Sequence, residues 1–163
     1  MMRALRFVVP VLLGLVLAGC HHGDPAGANL KAAQGFLAAN GKQPGVVTLP
    51  SGLEYKIVRS GAADGPHPGP GDELKVNYEG KFLDGKVFDS SFARGEPADL
   101  PLAGLIPGWL EALPLMRPGD EWILYVPPGL GYGDHGPDAI PPNSLLIFRI
   151  QLLGVLQHPA ALG

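Results

Sequence analysis

The sequence predicts an α+β domain: an antiparallel sheet of about five strands with one short α-helix against it. Three observations point there. Residues 72–82, 121–126 and 145–153 alternate apolar and polar side chains, the period of a strand with one face on a core and one in water. Asp84-Gly85 stands between two apolar runs and is a strong hairpin signal. The 24 glycines and 18 prolines among 163 residues punctuate strands and break helices. Disorder is the weaker reading, because hydrophobic residues make up 46% and charged residues only 17% of the chain. A collagen-like chain is excluded because the glycines have no period of three.

Taken in order, residues 1–19 read as a signal. Two arginines at Arg3 and Arg6 precede an apolar run from Phe7 to Leu17, too short to span a bilayer, and small residues close it. Leu17-Ala18-Gly19-Cys20 looks like a bacterial lipobox, which implies lipidation of Cys20 as the first residue of the mature protein. Removing the signal takes away Arg3 and Arg6 and leaves 10 basic against 15 acidic side chains. Residue 21 is His rather than Asp, which by analogy favours the outer membrane. His21 and His22 are adjacent and cannot alone close a metal coordination shell, so they read as part of a tether.

Residues 20–41 are expected to hold that tether and a short helix from Asn29 to Asn40, with Leu30, Ala33, Phe36 and Leu37 on one face and Asn40-Gly41 as its stop. Residues 42–70 form an extension that leads into a first strand, Leu53 to Arg59. The main domain is placed at 71–157. In it, Leu74, Val76, Tyr78, Gly80 and Phe82 alternate with polar residues; the chain turns at Asp84-Gly85 and returns over Lys86 to Asp89. Residues 90–97 read as a polar loop, and Leu100 and Leu102 as a short edge strand interrupted by Pro101. Pro107-Gly108 opens a helix of one or two turns with Trp109, Leu110 and Leu113 as its apolar side, limited by Pro114. Strands at Glu121 to Val126 and Leu145 to Leu153 flank a Gly- and Pro-dense loop, 127–144, and residues 158–163 are a tail.

Composition and spacing also limit the chemistry. The net charge is −3 with no run of Lys or Arg, so a nucleic-acid partner is not expected. One cysteine allows no internal disulfide, and no Cys/His spacing suits zinc, so neither a metal nor a cofactor is expected. There is no Gly-x-Ser-x-Gly elbow, and the glycines of 129–133 are followed by prolines rather than by a phosphate-binding helix. Tyr78, Phe82, Phe88, Trp109, Tyr132 and Phe148 lie beside predicted loops. Aromatics at strand spacing ordinarily pack a core; the alternative is an apolar pocket with a few polar handles.

The segments Val76-Asn77-Tyr78-Glu79-Gly80, Asp84-Gly85-Lys86-Val87-Phe88-Asp89-Ser90-Ser91, Ile106-Pro107-Gly108-Trp109, Leu130-Gly131-Tyr132-Gly133 and Ile140-Pro141-Pro142-Asn143 resemble, in order and spacing from about Gly71 to Leu156, the FKBP family of peptidyl-prolyl isomerases. Lys42 to Leu53 extends the likeness to the bacterial macrophage-infectivity-potentiator branch. The resemblance implies a strongly curved antiparallel sheet wrapped around the short helix and an activity that rotates X-Pro peptide bonds. Carried over by residue, it implies catalytic roles for Tyr78, Phe88, Asp89, Trp109 and Tyr132 and substrate contacts from Leu105, Ile106, Ile140 and Phe148. Trp109 would floor the pocket, Phe88 and Phe148 would wall it, and Ile106 N–H and the Tyr132 hydroxyl would meet carbonyls. Asp89 would hold Tyr78 or Tyr132, and His135 is the one histidine expected near the pocket.

The chain departs from the family pattern at Ala98, where eukaryotic members carry Phe, and in a short 134–140 loop. The implied partners are envelope proteins with X-Pro bonds, the membrane through Cys20, and macrolide inhibitors such as tacrolimus. Only residues 29–40 stand for the branch's dimerisation helices, so a monomer is expected.

Overall fold

A computed structural model describes residues 24–156; the lipobox, Cys20 and the tail lie outside them. Helix α1 (Pro25–Asn40) comes first, followed by strands β1 (Val46–Thr48), β2 (Glu54–Arg59) and β3 (Glu73–Lys81). Strand β4 (Val87–Ser90), helix α2 (Ser91–Arg94), strand β5 (Ala98–Pro101) and helix α3 (Pro107–Ala112) follow. Strands β6 (Glu121–Val126) and β7 (Leu146–Leu156) complete the fold. All seven strands form one antiparallel sheet in the order β1-β2-β6-β7-β3-β4. Strand β5 shares an edge of β3 with β4, pairing Val76 to Ala98 while β4 pairs Glu79 to Ser90. The expected α+β class holds, with seven strands rather than about five. Strand β4 is the expected hairpin return over Lys86 to Asp89, and the strand not expected is β1, only 3 residues long and below the length at which alternation speaks.

The alternation in β3 translates directly into burial. Leu74, Val76, Tyr78 and Gly80 face the core and Glu73 and Lys75 face solvent, with β7 alongside in register from Glu73↔Leu156 to Lys81↔Ile147. Helix α3 lies on the apolar face of the sheet, where Trp109, Ala112 and Leu113 pack into one cluster with Leu74, Val76, Leu124, Val126, Phe148, Ile150 and Leu152. Leu110 does not join them; it is 39% exposed, because the helix turns Ala112 inward instead. Asp84-Gly85 makes the expected turn, with Gly85 at φ +86° and Asp84 Oδ1 accepting from Lys86 N at 2.9 Å.

Helix α1 is longer than its apolar pattern. It starts four residues before Asn29 because Asp24 caps it, accepting from Gly27 N at 3.0 Å, and Pro25 supplies a preset first-turn φ. A helix this short gains its stability from packing. Ala33 is buried, Phe36 stands 5.7 Å from the ring of Tyr125, and Asn40 Nδ2 donates to the buried Glu54 at 2.7 Å. Leu30, on the expected face, is exposed. Helix, extension and main domain therefore close on one another: β2, from the extension, pairs with β6 from Glu54↔Tyr125 to Arg59↔Glu121.

Candidate active site

The site lies where β3, β4, β7 and α3 meet. Strand β3 delivers Tyr78 inward, and Gly80 two residues on leaves room for rings. A Cβ at Gly80 would come within 2.6 Å of Phe88 Cζ and 2.8 Å of Phe148 Cε1, so only glycine lets both rings close over this strand. Phe148 arrives from β7 and packs edge-on to Trp109 at 5.2 Å and to Phe88 at 5.7 Å. Trp109 also meets Tyr78 edge-on at 5.5 Å. Such edge-to-face pairs hold four rings in fixed mutual orientation.

These rings enclose a cavity of about 230 Å³, lined by Tyr78, Phe88, Asp89, Leu100, Gly104, Leu105, Ile106, Trp109, Tyr132 and Phe148. Eight of the nine residues expected at the site line it. Ile140 does not; it is buried in the core, where it closes the turn after Gly136 by donating its N–H to Pro137 O at 2.8 Å. His135 is not at the cavity either. It points to solvent, 88% exposed, and pairs with Asp134. Ile106 caps α3, and its carbonyl accepts from Trp109 N and Leu110 N. Its own N–H reaches no backbone carbonyl among the described residues. Tyr132 forms the open side, 39% exposed.

One polar cluster borders this apolar space. The Tyr78 hydroxyl donates to Asp89 Oδ2 at 2.5 Å, and Arg94 donates to Asp89 Oδ1 at 2.5 Å and to the Tyr78 hydroxyl at 3.0 Å. The guanidinium also lies 5.5 Å from the centroid of the Tyr78 ring. Partial burial disfavours the Asp89 anion, but the hydrogen bonds from Tyr78 and Arg94 outweigh it and hold the carboxyl below its ordinary range. Burial, then the bond to Asp89, pushes the Tyr78 phenol above its ordinary value. Asp89 thus holds Tyr78, not Tyr132.

Arg94 is the polar residue that sequence reasoning missed, because residues 90–97 read as a loop. They form α2, capped by Ser90 Oγ accepting from Ala93 N at 3.2 Å and ended by Gly95 at φ +79°. Ser90 before the turn and Gly95 after it were the available signal. The buried Ser91 fixes β3 from behind, its Oγ accepting from Tyr78 N at 2.8 Å. Of the other unanticipated lining residues, Leu100 read as part of a short edge strand and Gly104 carried no signal. Among the described residues, no group of three His, Cys, Asp or Glu side chains is placed to hold a metal ion.

A family model described as FKBP-type peptidyl-prolyl cis-trans isomerase matches residues 65–153. The chain belongs to the FKBP-type isomerase family. A second model, for the domain amino-terminal to FKBP-type isomerases, matches residues 21–57. The chain is 49% identical over 128 residues to the peptidyl-prolyl cis-trans isomerase Mip of Coxiella burnetii, covering 78% of this chain and 55% of that protein. It is 46% identical over 130 residues to the outer membrane protein MIP of Legionella longbeachae, covering 78% of this chain and 54% of that protein. Among solved structures, FkpA from Escherichia coli superposes with a TM-score of 0.79 at 41% identity, covering 82% of this chain and 62% of that one. These matches place the FKBP-type chain in the Mip-like branch. It spans little more than half the length of the two Mip relatives.

Proposed function

We propose that this FKBP-type protein catalyses cis–trans rotation of X-Pro peptide bonds in polypeptides folding in the bacterial envelope. The observation that carries this is the aromatic cavity, open at Tyr132, with Trp109 in its lining and with Tyr78, Asp89 and Arg94 along one edge. The X-Pro bond is a tertiary amide whose rotation barrier is about 18–20 kcal/mol, and unaided it turns over in tens of seconds or more. In the planar ground state, resonance puts negative charge on the carbonyl oxygen, and water stabilises it. The twisted transition state has lost that resonance and is less polar. A dry cavity therefore favours the twisted form over the planar one, with no nucleophile and no proton transfer.

In this mechanism the proline ring lies on Trp109 between Phe88 and Phe148. The free N–H of Ile106 and the Tyr132 hydroxyl orient substrate carbonyls, and Leu105 extends the wall. Asp89, held by Tyr78 and Arg94, presents a fixed negative edge to the twisted amide. Ile140 shapes the loop that carries Tyr132: a Cβ on Gly136 would sit 2.9 Å from Tyr132 Cβ and 3.4 Å from Ile140 Cβ, so this turn packs against both.

The lipobox and the outer-membrane name of the Legionella relative support attachment through Cys20 to the outer membrane, facing the periplasm. The docking of α1 on its own domain supports a monomer. The apolar cavity also suits the ring-shaped ligands of this family, such as the macrolide tacrolimus. A protease-coupled assay on a proline-containing tetrapeptide tests the activity. Turnover well above the uncatalysed rate is expected, and binding without acceleration would reduce the protein to a holdase.

A further inference from the structure

A second cavity, of about 290 Å³, opens between α1, the β3–β4 hairpin and the loop before β7. Asn29 and Ala32 line it from the helix, Phe82, Leu83 and Lys86 from the hairpin, and Pro141 from the loop. The gap is held open by ties beside it. Asn29 Nδ2 donates to Pro142 O at 2.8 Å and Asn143 Nδ2 to Ala26 O at 3.4 Å, so helix and loop cannot slide together without breaking them. Leu83 is exposed at its mouth, and Phe82 is half-buried in its wall.

This cavity is separated from the site already described by one pair of rings. Phe82 lines the one and Phe88 lines the other, and their ring centroids stand 4.8 Å apart. We propose that the second cavity takes an apolar side chain of the same polypeptide whose proline occupies the first, three or four residues along the chain. The proposal rests on the isomerase activity proposed above. The spacing follows from the partition. Two rings at 4.8 Å, with a contact of about 3.5–4.0 Å on either side, separate the occupants by roughly 12 Å. An extended chain advances about 3.3–3.6 Å per residue and covers that in three or four steps. The rim carries Asp84 and Lys86, one charge of each sign, so neither an acidic nor a basic segment is favoured. A neutral apolar stretch of an unfolded chain is the occupant that fits.

The test uses decapeptide substrates of Gly and Ser around one X-Pro bond, with a single Leu moved from one to four residues away from the proline on either side. A tetrapeptide that ends short of the groove sets the baseline. In the parent protein kcat/KM is expected to rise about 5-fold when Leu stands three or four residues from the proline on one side. Ala32→Trp, on the exposed side of α1, fills the groove and should abolish that rise while the tetrapeptide rate stays parental. Leu83→Ser should abolish it by removing the apolar wall. A flat Leu scan in the parent, or a rise that survives both substitutions, overturns the proposal. So does an Ala32→Trp protein whose sedimentation changes while its Leu scan does not, since the groove would then receive a second copy of this chain. If the parent fails to turn over even the tetrapeptide, the isomerase activity is refuted. The Leu-position dependence of decapeptide affinity, measured by calorimetry, then decides the groove by itself, and a flat dependence there overturns it.

Discussion

Asp89→Ala separates chemistry from packing at the site. The substitution removes the carboxylate that accepts from Tyr78 and from Arg94, each at 2.5 Å, and takes little apolar area with it. The Asp89 and Arg94 side chains are 43% and 46% exposed, so water screens their ion pair and its loss costs little stability. The Tyr78 hydroxyl keeps its hydrogen bond from Arg94 at 3.0 Å and can turn its proton to water. The lost Tyr78–Asp89 bond is then worth about 1 kcal/mol of folding free energy. For a domain of this size that is roughly 3–5 °C in Tm. The effect on rate is larger, because the negative edge and the fixed Tyr78 ring are both lost where the amide twists. A charged hydrogen bond of about 1.5–3 kcal/mol, felt in the transition state, corresponds at about 1.4 kcal/mol per decade to roughly 10- to 150-fold. Solvent at the edge favours the low end, so kcat/KM on a tetrapeptide is expected to fall about 10- to 30-fold. Asp89→Asn keeps the shape and one acceptor, and should fall less. The assay is the protease-coupled rate beside a thermal melt. Parental turnover in Asp89→Ala would remove the carboxylate from the mechanism. A Tm loss beyond about 10 °C would show that the residue holds the fold instead.

Activity should be flat with pH from about 6 to 8. Asp89, lowered in the fold, gives stability that is present above its unfolded value near pH 4 and lost as pH falls through the still lower folded value. Tyr78, raised in the fold, gives stability that is present below about pH 10 and lost as pH rises through its folded value. A pH–rate profile that steps inside that window would mean that another group titrates in the mechanism. Gly80→Ala forces a Cβ into Phe88 and Phe148 and should cost about 1–3 kcal/mol in denaturant unfolding, with turnover reduced as well. Gly35→Ala, in the open middle of α1 with nothing within 4 Å, should instead stabilise by about 0.5–1 kcal/mol, and a loss there would contradict the docked helix. Cys20→Ala should leave turnover parental and move the protein from membranes to the soluble fraction. The delipidated protein should sediment as a monomer at micromolar concentration, because a stable dimer interface buries roughly 1,200 Å² or more.

The parts of the fold legible in the sequence were those with a long, regular period. The alternation from Leu74 to Phe82 placed β3 and its buried face, and Pro107-Gly108 placed the start of α3. Capping and shape were harder to see. Asp24 and Pro25 start α1, yet their neighbours are small and read as tether. Ser90 and Gly95 bracket a four-residue helix, too short to show a period, and with it went Arg94. The cavity-lining aromatics were found because motif order fixed them. Ile140, in the same motif as Pro141-Pro142, turned inward because the 134–140 loop folds on Gly136, a tertiary outcome that no local pattern encodes.

The proposed mechanism also gives a role to the polar cluster at a site without a reactive group. The dry cavity would favour the less polar twisted amide over either planar isomer, and binding the two isomers equally does not prevent that. A charged edge would add a preference that depends on the orientation of the amide. The Tyr78–Asp89–Arg94 cluster is fixed from both sides: Ser91 holds the Tyr78 backbone, and Gly95 ends the turn that carries Arg94. In the proposed reaction its charges would then reorganise little as the carbonyl turns, which is the condition under which a fixed dipole lowers a barrier. In the proposed mechanism the rings supply the dry volume and the cluster supplies a preferred direction of rotation.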